Sequence, residues 1–207
     1  FGRASKIDNS ISEAKISSME NNTVTNAVVY YVIQKNDAES RLLYFKDKNE
    51  RDFRITPETT PYRGHYETAS GYTANSGQAK TYYVFRSYME QLEYTGGGTI
   101  TVAAGTYTLS HSVCIPSNVT VNFEDGVKIQ KVKAVNTNLA TNKTMFELVP
   151  PSKEGVKNSV GGYNGSQNVT LQGNGSTIFD CAYTLNAMAV VMGHAQNINI
   201  RNIAFTN

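Results

Sequence analysis

Two cysteines in 207 residues are too few for a disulfide scaffold. No stretch approaches the roughly 20 apolar residues that cross a bilayer as a helix, so no membrane insertion is expected. Charged side chains make up 17% of the chain and the net charge is +2. That near-neutrality removes the electrostatic case for nucleic acid or an acidic membrane surface as partner. The sequence opens on Phe1 without an initiator Met or an apolar leader, so any targeting peptide is expected to lie outside it. No cofactor or metal is expected. What is plentiful is Gly, Asn, Thr, Ser and Tyr, the last at 13 copies, a balance that fits an extracellular β-rich protein.

Residues 1–18 are polar and carry little pattern, and weak order is expected there. Over 19–67, clusters of β-branched and aromatic residues (AVVYYVI at 27–33, RLLYF at 41–45, 53–55 and 65–66) alternate with turn formers. They predict a small antiparallel, sandwich-like β-domain that leans on its neighbour. Residues 68–80 are small and polar and read as a linker. Tyr82, Phe85, Met89 and Leu92 then fall on one stripe of a helix over 79–94. Gly96, Gly97 and Gly98 close it, because glycine takes the left-handed conformation that ends helices.

Residues 96–131 organise the rest of the chain. Ile100 and Val102, Val119 and Val121, and Val127 and Ile129 alternate with polar residues, the period of a strand with one buried face. Asn118-Val119-Thr120-Val121 recurs as Asn168-Val169-Thr170-Leu171 and as Asn197-Ile198-Asn199-Ile200, at spacings of 50 and 29 residues. The shorter spacing is one solenoid coil. The longer is a coil plus an insertion at 132–165. No Asn-Gly hairpin turn joins neighbouring strands, so stacked coils of a parallel β-helix are expected over 81–207, with the helix as cap on the first coil. The run Ile198, Ile200, Ile203, Phe205 would leave an apolar end, expected to be covered by the remainder of the chain or by another chain.

The stretch GGGTITVAAGTYTLSHSVCIPSNVTVNFEDGVKI resembles the entry coil of the pectin-lyase-like right-handed parallel β-helix superfamily. Gln167–Gly173 with Asn174-Gly175, and residues 193–203, resemble successive coils of its polygalacturonase-like members. The resemblance covers 79–207. It implies an all-β fold, a right-handed parallel β-helix with an N-terminal capping helix, and extracellular work on a pectin-like polysaccharide. It does not fix a reaction, since one such fold hosts many.

The Asn-Thr-Asp, Asp-Asp and Gly-His-Gly motifs of polygalacturonase-like enzymes are absent, and Gly193-His194-Ala195 is not the last of them. Glycosidases need two carboxyl groups about 5–9.5 Å apart. In the register above, Glu124 meets Asn174 and Ile203, Asp125 meets Gly175 and Ala204, and Asp180 meets Gln130, so no acidic ladder forms unless the register slips near 175–178. No catalytic residue is therefore assigned. Tyr163, Tyr183 and His194 are the candidate substrate-binding residues, the aromatics because they stack on sugar rings and Tyr163 because it lies in the insertion. Cys114 and Cys181 do not stack and are expected as free thiols. Two of the six Asn-x-Ser/Thr sequons are the strand entries at Asn118 and Asn168, which fold geometry explains. Three functions remain open: the front part of a polysaccharide-degrading glycosidase whose reacting groups lie past Asn207, a non-catalytic tailspike-like glycan binder, or an interaction module built on the N-terminal β-domain.

Overall fold

The computed structural model describes residues 13–15, 27–33, 41–67, 72, 77–132, 142–156 and 158–207. The expectations for 1–18 and for the 68–80 linker fall mostly outside that set. Strands β1 (Glu13–Lys15), β2 (Ala27–Ile33) and β3 (Arg41–Asp47) form an antiparallel sheet in that order. Strand β4 (Asp52–Ile55) does not join it. It runs parallel to β5 (Gly98–Val102), with Phe53 opposite Ile100 and Ile55 opposite Val102. This corrects the antiparallel assignment of 53–55. The cause is packing: Phe53 lies edge-on to Tyr62 and Tyr88 at 5.6 and 5.0 Å, and Ile55 is fully buried. His65 and Tyr66, expected in a strand, instead follow the 3-10 turn Tyr62–Gly64 and are buried.

Beyond the single long helix of the described residues, α1 (Gly77–Thr95), every strand pairing is parallel. After β5 come β6 (Gly105–Leu109), β7 (Val113–Cys114), β8 (Val119–Phe123), β9 (Val127–Lys131) and β10 (Thr144–Glu147). They are followed by β11 (Gln167–Gly173), β12 (Ile178–Asp180), β13 (Met188–Val191), β14 (Gln196–Arg201) and β15 (Ala204–Thr206). The chain deals these strands in rotation to three sheets, ordered β14-β11-β8-β5-β4, β15-β12-β9-β6 and β13-β10-β7. From β5 onward no two sequential strands pair, and each strand's partners lie one circuit away; β4 pairs with the next strand, β5, only because α1 intervenes between them.

Alternation puts one side of each strand inside. Val119, Val121 and Phe123 of β8 are buried while Thr120 and Asn122 are not, and Val169 and Leu171 of β11 repeat the pattern. The interior is completed by α1, whose Tyr82, Phe85, Met89 and Leu92 are all buried against β6 and β7. Residues at the close of the helix come within contact of the first circuit: a Cβ on Gly98 would meet Arg51 O at 2.0 Å, so only glycine fits there.

The strand-entry asparagines stack. Thr120 faces Thr170, which faces Asn199, so the 50- and 29-residue spacings are the true register. Asn118, Asn168 and Asn197 all take left-handed φ values of 54–59°, a conformation asparagine tolerates better than other non-glycine residues. Asn197 Nδ2 donates to Asn168 Oδ1 at 3.0 Å, Asn168 Nδ2 to Asn118 Oδ1 at 2.9 Å, and Asn118 Nδ2 to Gly96 O at 3.1 Å. Asn168→Ala removes both rungs and the favourable φ; a loss of about 2 kcal/mol in unfolding free energy is expected in urea titrations, with Asn168→Gly milder.

No slip occurs at 175–178, where Ile178 stays opposite Lys128. The last circuit does shorten: Ala204 faces Ile178, so Ile203 and Ala204 are not the counterparts of Glu124 and Asp125. The tight corner explains this, since the Asn202 carbonyl sits where a Cβ on Gly173 would be, at 2.0 Å.

Candidate functional site

Where the third sheet hands over to the first, the insertion folds back on the following circuit. Gly165 N donates to His194 O at 2.9 Å, and His194 Nδ1 donates to Gly162 O at 2.8 Å. With Nδ1 so committed, neutral His194 carries its lone pair on Nε2. Gln196 and Gln167, opposite each other in β14 and β11, both donate to Tyr163 O, at 2.9 and 3.3 Å. Lys153 Nζ donates to Asn164 O at 2.9 Å, and Asn164 Oδ1 accepts from Gly161 N at 2.6 Å. The backbone of 161–165 is therefore pinned on both sides while Tyr163 is 73% exposed. His194 is exposed beside it, at φ 63°.

Tyr183 is 78% exposed but belongs to another corner, the turn between β12 and β13, with φ 52°. The structure brings Tyr163 and His194 together and leaves Tyr183 apart from them. Cys114 and Cys181 are free, and burial pushes the Cys114 thiol well up.

Glu124, Asp125 and Asp180, the acids weighed for a ladder, are occupied structurally. Glu124 takes both arms of Arg54, at 3.1 and 2.9 Å, across the outer face. Asp180 meets Lys128 Nζ at 2.7 Å and accepts from Gln130, Asn207 and the Ala182 amide. The Lys128 bond first, and then these donors, hold its carboxyl well below the usual range. Asp180 lies between Gln130 and Thr206, with no acid above or below. Asp125 Oδ1 accepts from Ser176 N at 2.6 Å. Among the described residues no group of three or more His, Cys, Asp and Glu is placed to hold a metal ion.

Two buried polar centres were not foreseen from the sequence. At the cap, Arg86 donates to Glu90 at 3.0 Å and to Tyr82 Oη at 2.8 Å, approaches Glu154 at 3.6 Å, and lies over the Tyr66 ring. His65 Nε2 and Tyr66 Oη meet the Glu90 carboxylate at 3.0 and 2.6 Å. Burial would raise the Glu90 carboxyl, but the His65 hydrogen bond and the Arg86 charge bring it down to about 2. The i, i+4 spacing of Arg86 and Glu90 was a usable signal; Glu154, far along the chain, gave none.

The second centre is Lys131, which ends β9 on its inward side and is 1% exposed. Its ammonium reaches Ser110 O at 2.9 Å, Thr144 O at 3.1 Å and Asn142 Oδ1 at 3.4 Å, all neutral acceptors. Burial without a counter-charge lowers it to about 8, and its charge adds to burial in lowering nearby His111 to about 4. The folded chain thus gives up the Lys131 proton more readily than the unfolded one. Between pH 8 and the ordinary lysine value of about 10.4 the unfolded state binds more protons, so stability rises with pH there. The Cys114 thiol, pushed up by burial, acts in the opposite sense over the same range but is common to the native chain and Lys131→Met. The unfolding free energy of the native chain from urea titrations should therefore rise between pH 8 and 10 by on the order of 2 kcal/mol relative to that of Lys131→Met.

Compared with known proteins, the chain matches no family model, no curated protein and no solved structure.

Proposed function

We propose that this chain is the capped first part of a right-handed parallel β-helix that works on extracellular, pectin-like polysaccharide as part of a polygalacturonase-like glycoside hydrolase, whose reacting carboxyl groups belong to coils following β15. The carrying observation is the pinned loop at 161–165, whose backbone is held by His194, Gln196 and Gln167 and which presents the exposed Tyr163 one residue from the Gly162 carbonyl that His194 bonds. A sugar ring offers an apolar face to the tyrosine and hydroxyls to His194 Nε2. The resemblance of 96–129 to the pectin-lyase-like entry coil supports the same reading. A second reading, glycan binding without cleavage, is favoured by the engagement of Glu124 and Asp180 in ion pairs.

The test is affinity electrophoresis of the chain through gels containing polygalacturonate, with a reducing-end assay on the same mixtures. Retardation is expected, weakened about tenfold by Tyr163→Ala, the magnitude of one lost ring contact, and no reducing ends should form. A native chain that runs unretarded contradicts the polysaccharide reading; released reducing ends contradict the placement of the reacting groups.

A further inference from the structure

The capped end holds a second recess, far along the sequence from Tyr163. The turn after β4, the first turns of α1 and the outer side of β6 enclose a cleft of about 400 Å³, within the usual size of small-molecule sites. Its floor is apolar: Ile55, Phe85 and Tyr107 are buried there. Its rim is hydroxyl-bearing, with Thr60, Thr106 and Thr108 among the lining residues.

Two charged groups of opposite sign also line it. The Glu58 carboxylate forms no ion pair or hydrogen bond among the described residues, and neither does the Lys80 ammonium, which lies 5.4 Å from the centre of the Tyr72 ring. A carboxylate accepts from two adjacent hydroxyls, and an ammonium donates to a third oxygen. The cleft carries no net charge, so a phosphate or polyanion finds one lysine opposed by one glutamate. A purely apolar ligand would strand both charges and the rim hydroxyls without partners.

An apolar floor, a hydroxyl rim, a carboxylate acceptor and an aromatic wall together match one class of molecule: apolar on one ring face, vicinal hydroxyls at its edge, no charge. We infer that this cleft is a binding site for a neutral saccharide of one or two rings, separate from the Tyr163 edge and independent of the reading given for that edge.

The experiment is saturation-transfer NMR on the whole chain with maltose, cellobiose and xylobiose as probes and glutamine as a zwitterionic control. Transfer to the ring protons of at least one disaccharide is expected. Its affinity should fall at least fivefold in Glu58→Ala, whose side chain is exposed, and in Thr108→Val, which keeps the shape of the β6 side chain. Tyr163→Ala should leave it unchanged, so failure here and failure of polygalacturonate binding are separate results. Unaltered urea midpoints of both variants establish that the fold persists. No transfer to any disaccharide, transfer to glutamine alone, or transfer undiminished in both variants overturns the assignment.

Discussion

Phe146→Ala should lower the unfolding free energy by about 4 kcal/mol, toward the upper end of large-to-small core substitutions. Phe146 sits in β10, on the third sheet, and is fully buried. Its ring lies 6.4 Å from Phe123 of the first sheet, 5.3 Å from Phe179 of the second and 6.4 Å from Phe85 of the cap helix. One side chain therefore touches all three walls and the lid. Neighbours on parallel strands, each held by hydrogen bonds on both edges, have little freedom to collapse into the space a ring leaves. The lost transfer energy and the cavity term both apply. Urea denaturation monitored by tyrosine fluorescence reads the loss directly. Phe146→Leu should recover more than half of it, because a branched side chain keeps contact with at least two of the rings.

Arg86→Met should cost about 3 kcal/mol through a different mechanism. The guanidinium faces the Glu90 and Glu154 carboxylates and packs on Tyr66 and Tyr82. Met replaces its stem but strands two mostly buried acids, and breaking such a network from one side is far more damaging than never having built it. Arg86→Lys should rescue little, since a point charge cannot donate to Tyr82 and Glu90 at once while lying over a ring. The pH profile identifies the cause. Glu90 stays ionised to about pH 2 in the folded chain, so its contribution is present above the unfolded value near 4.3 and lost as pH falls toward 2. Removing Arg86 raises the folded value and narrows that window. The stability difference between Arg86→Met and the native chain should accordingly shrink between pH 5 and 2.5, whereas the Phe146→Ala difference should hold steady.

The parts of the fold legible in the sequence are those in which local pattern and long-range contact coincide. Asn118, Asn168 and Asn197 betray the register because one side chain, in one unusual backbone conformation, is needed at each strand entry to bond the next copy. The helix stripe of Tyr82, Phe85, Met89 and Leu92 was legible for the same reason: its period is its burial. Strand β4 was not. Four residues ending before Pro57 look alike in an antiparallel ribbon and at a parallel edge, and what decides is the distant Tyr88 and the vacant edge of β5.

The two sites divide along the same line. A 29-residue offset sets His194 against Gly165, and the amide of Gly165 does bond the His194 carbonyl, so the proximity of Tyr163 and His194 was available from the repeat alone. Tyr183 is a candidate by its ring rather than by its position, and the turn after β12 carries it to a different corner. Lys131 could have been found: it continues the inward series of Val127 and Ile129, and a lysine in such a place is either misregistered or caged. The cleft beside α1 could not, because Glu58, Lys80 and Thr108 are joined only by the packing of a helix across β6.

From β5 onward the strands are dealt in rotation to three parallel sheets. Backbone nuclear Overhauser effects on perdeuterated, amide-protonated protein test it most directly. The register predicts cross-strand contacts linking Val121 with Leu171 and Leu171 with Ile200, in the parallel pattern, with none between β8 and β9. Contacts in the antiparallel pattern between β8 and β9, or between β11 and β12, would contradict it.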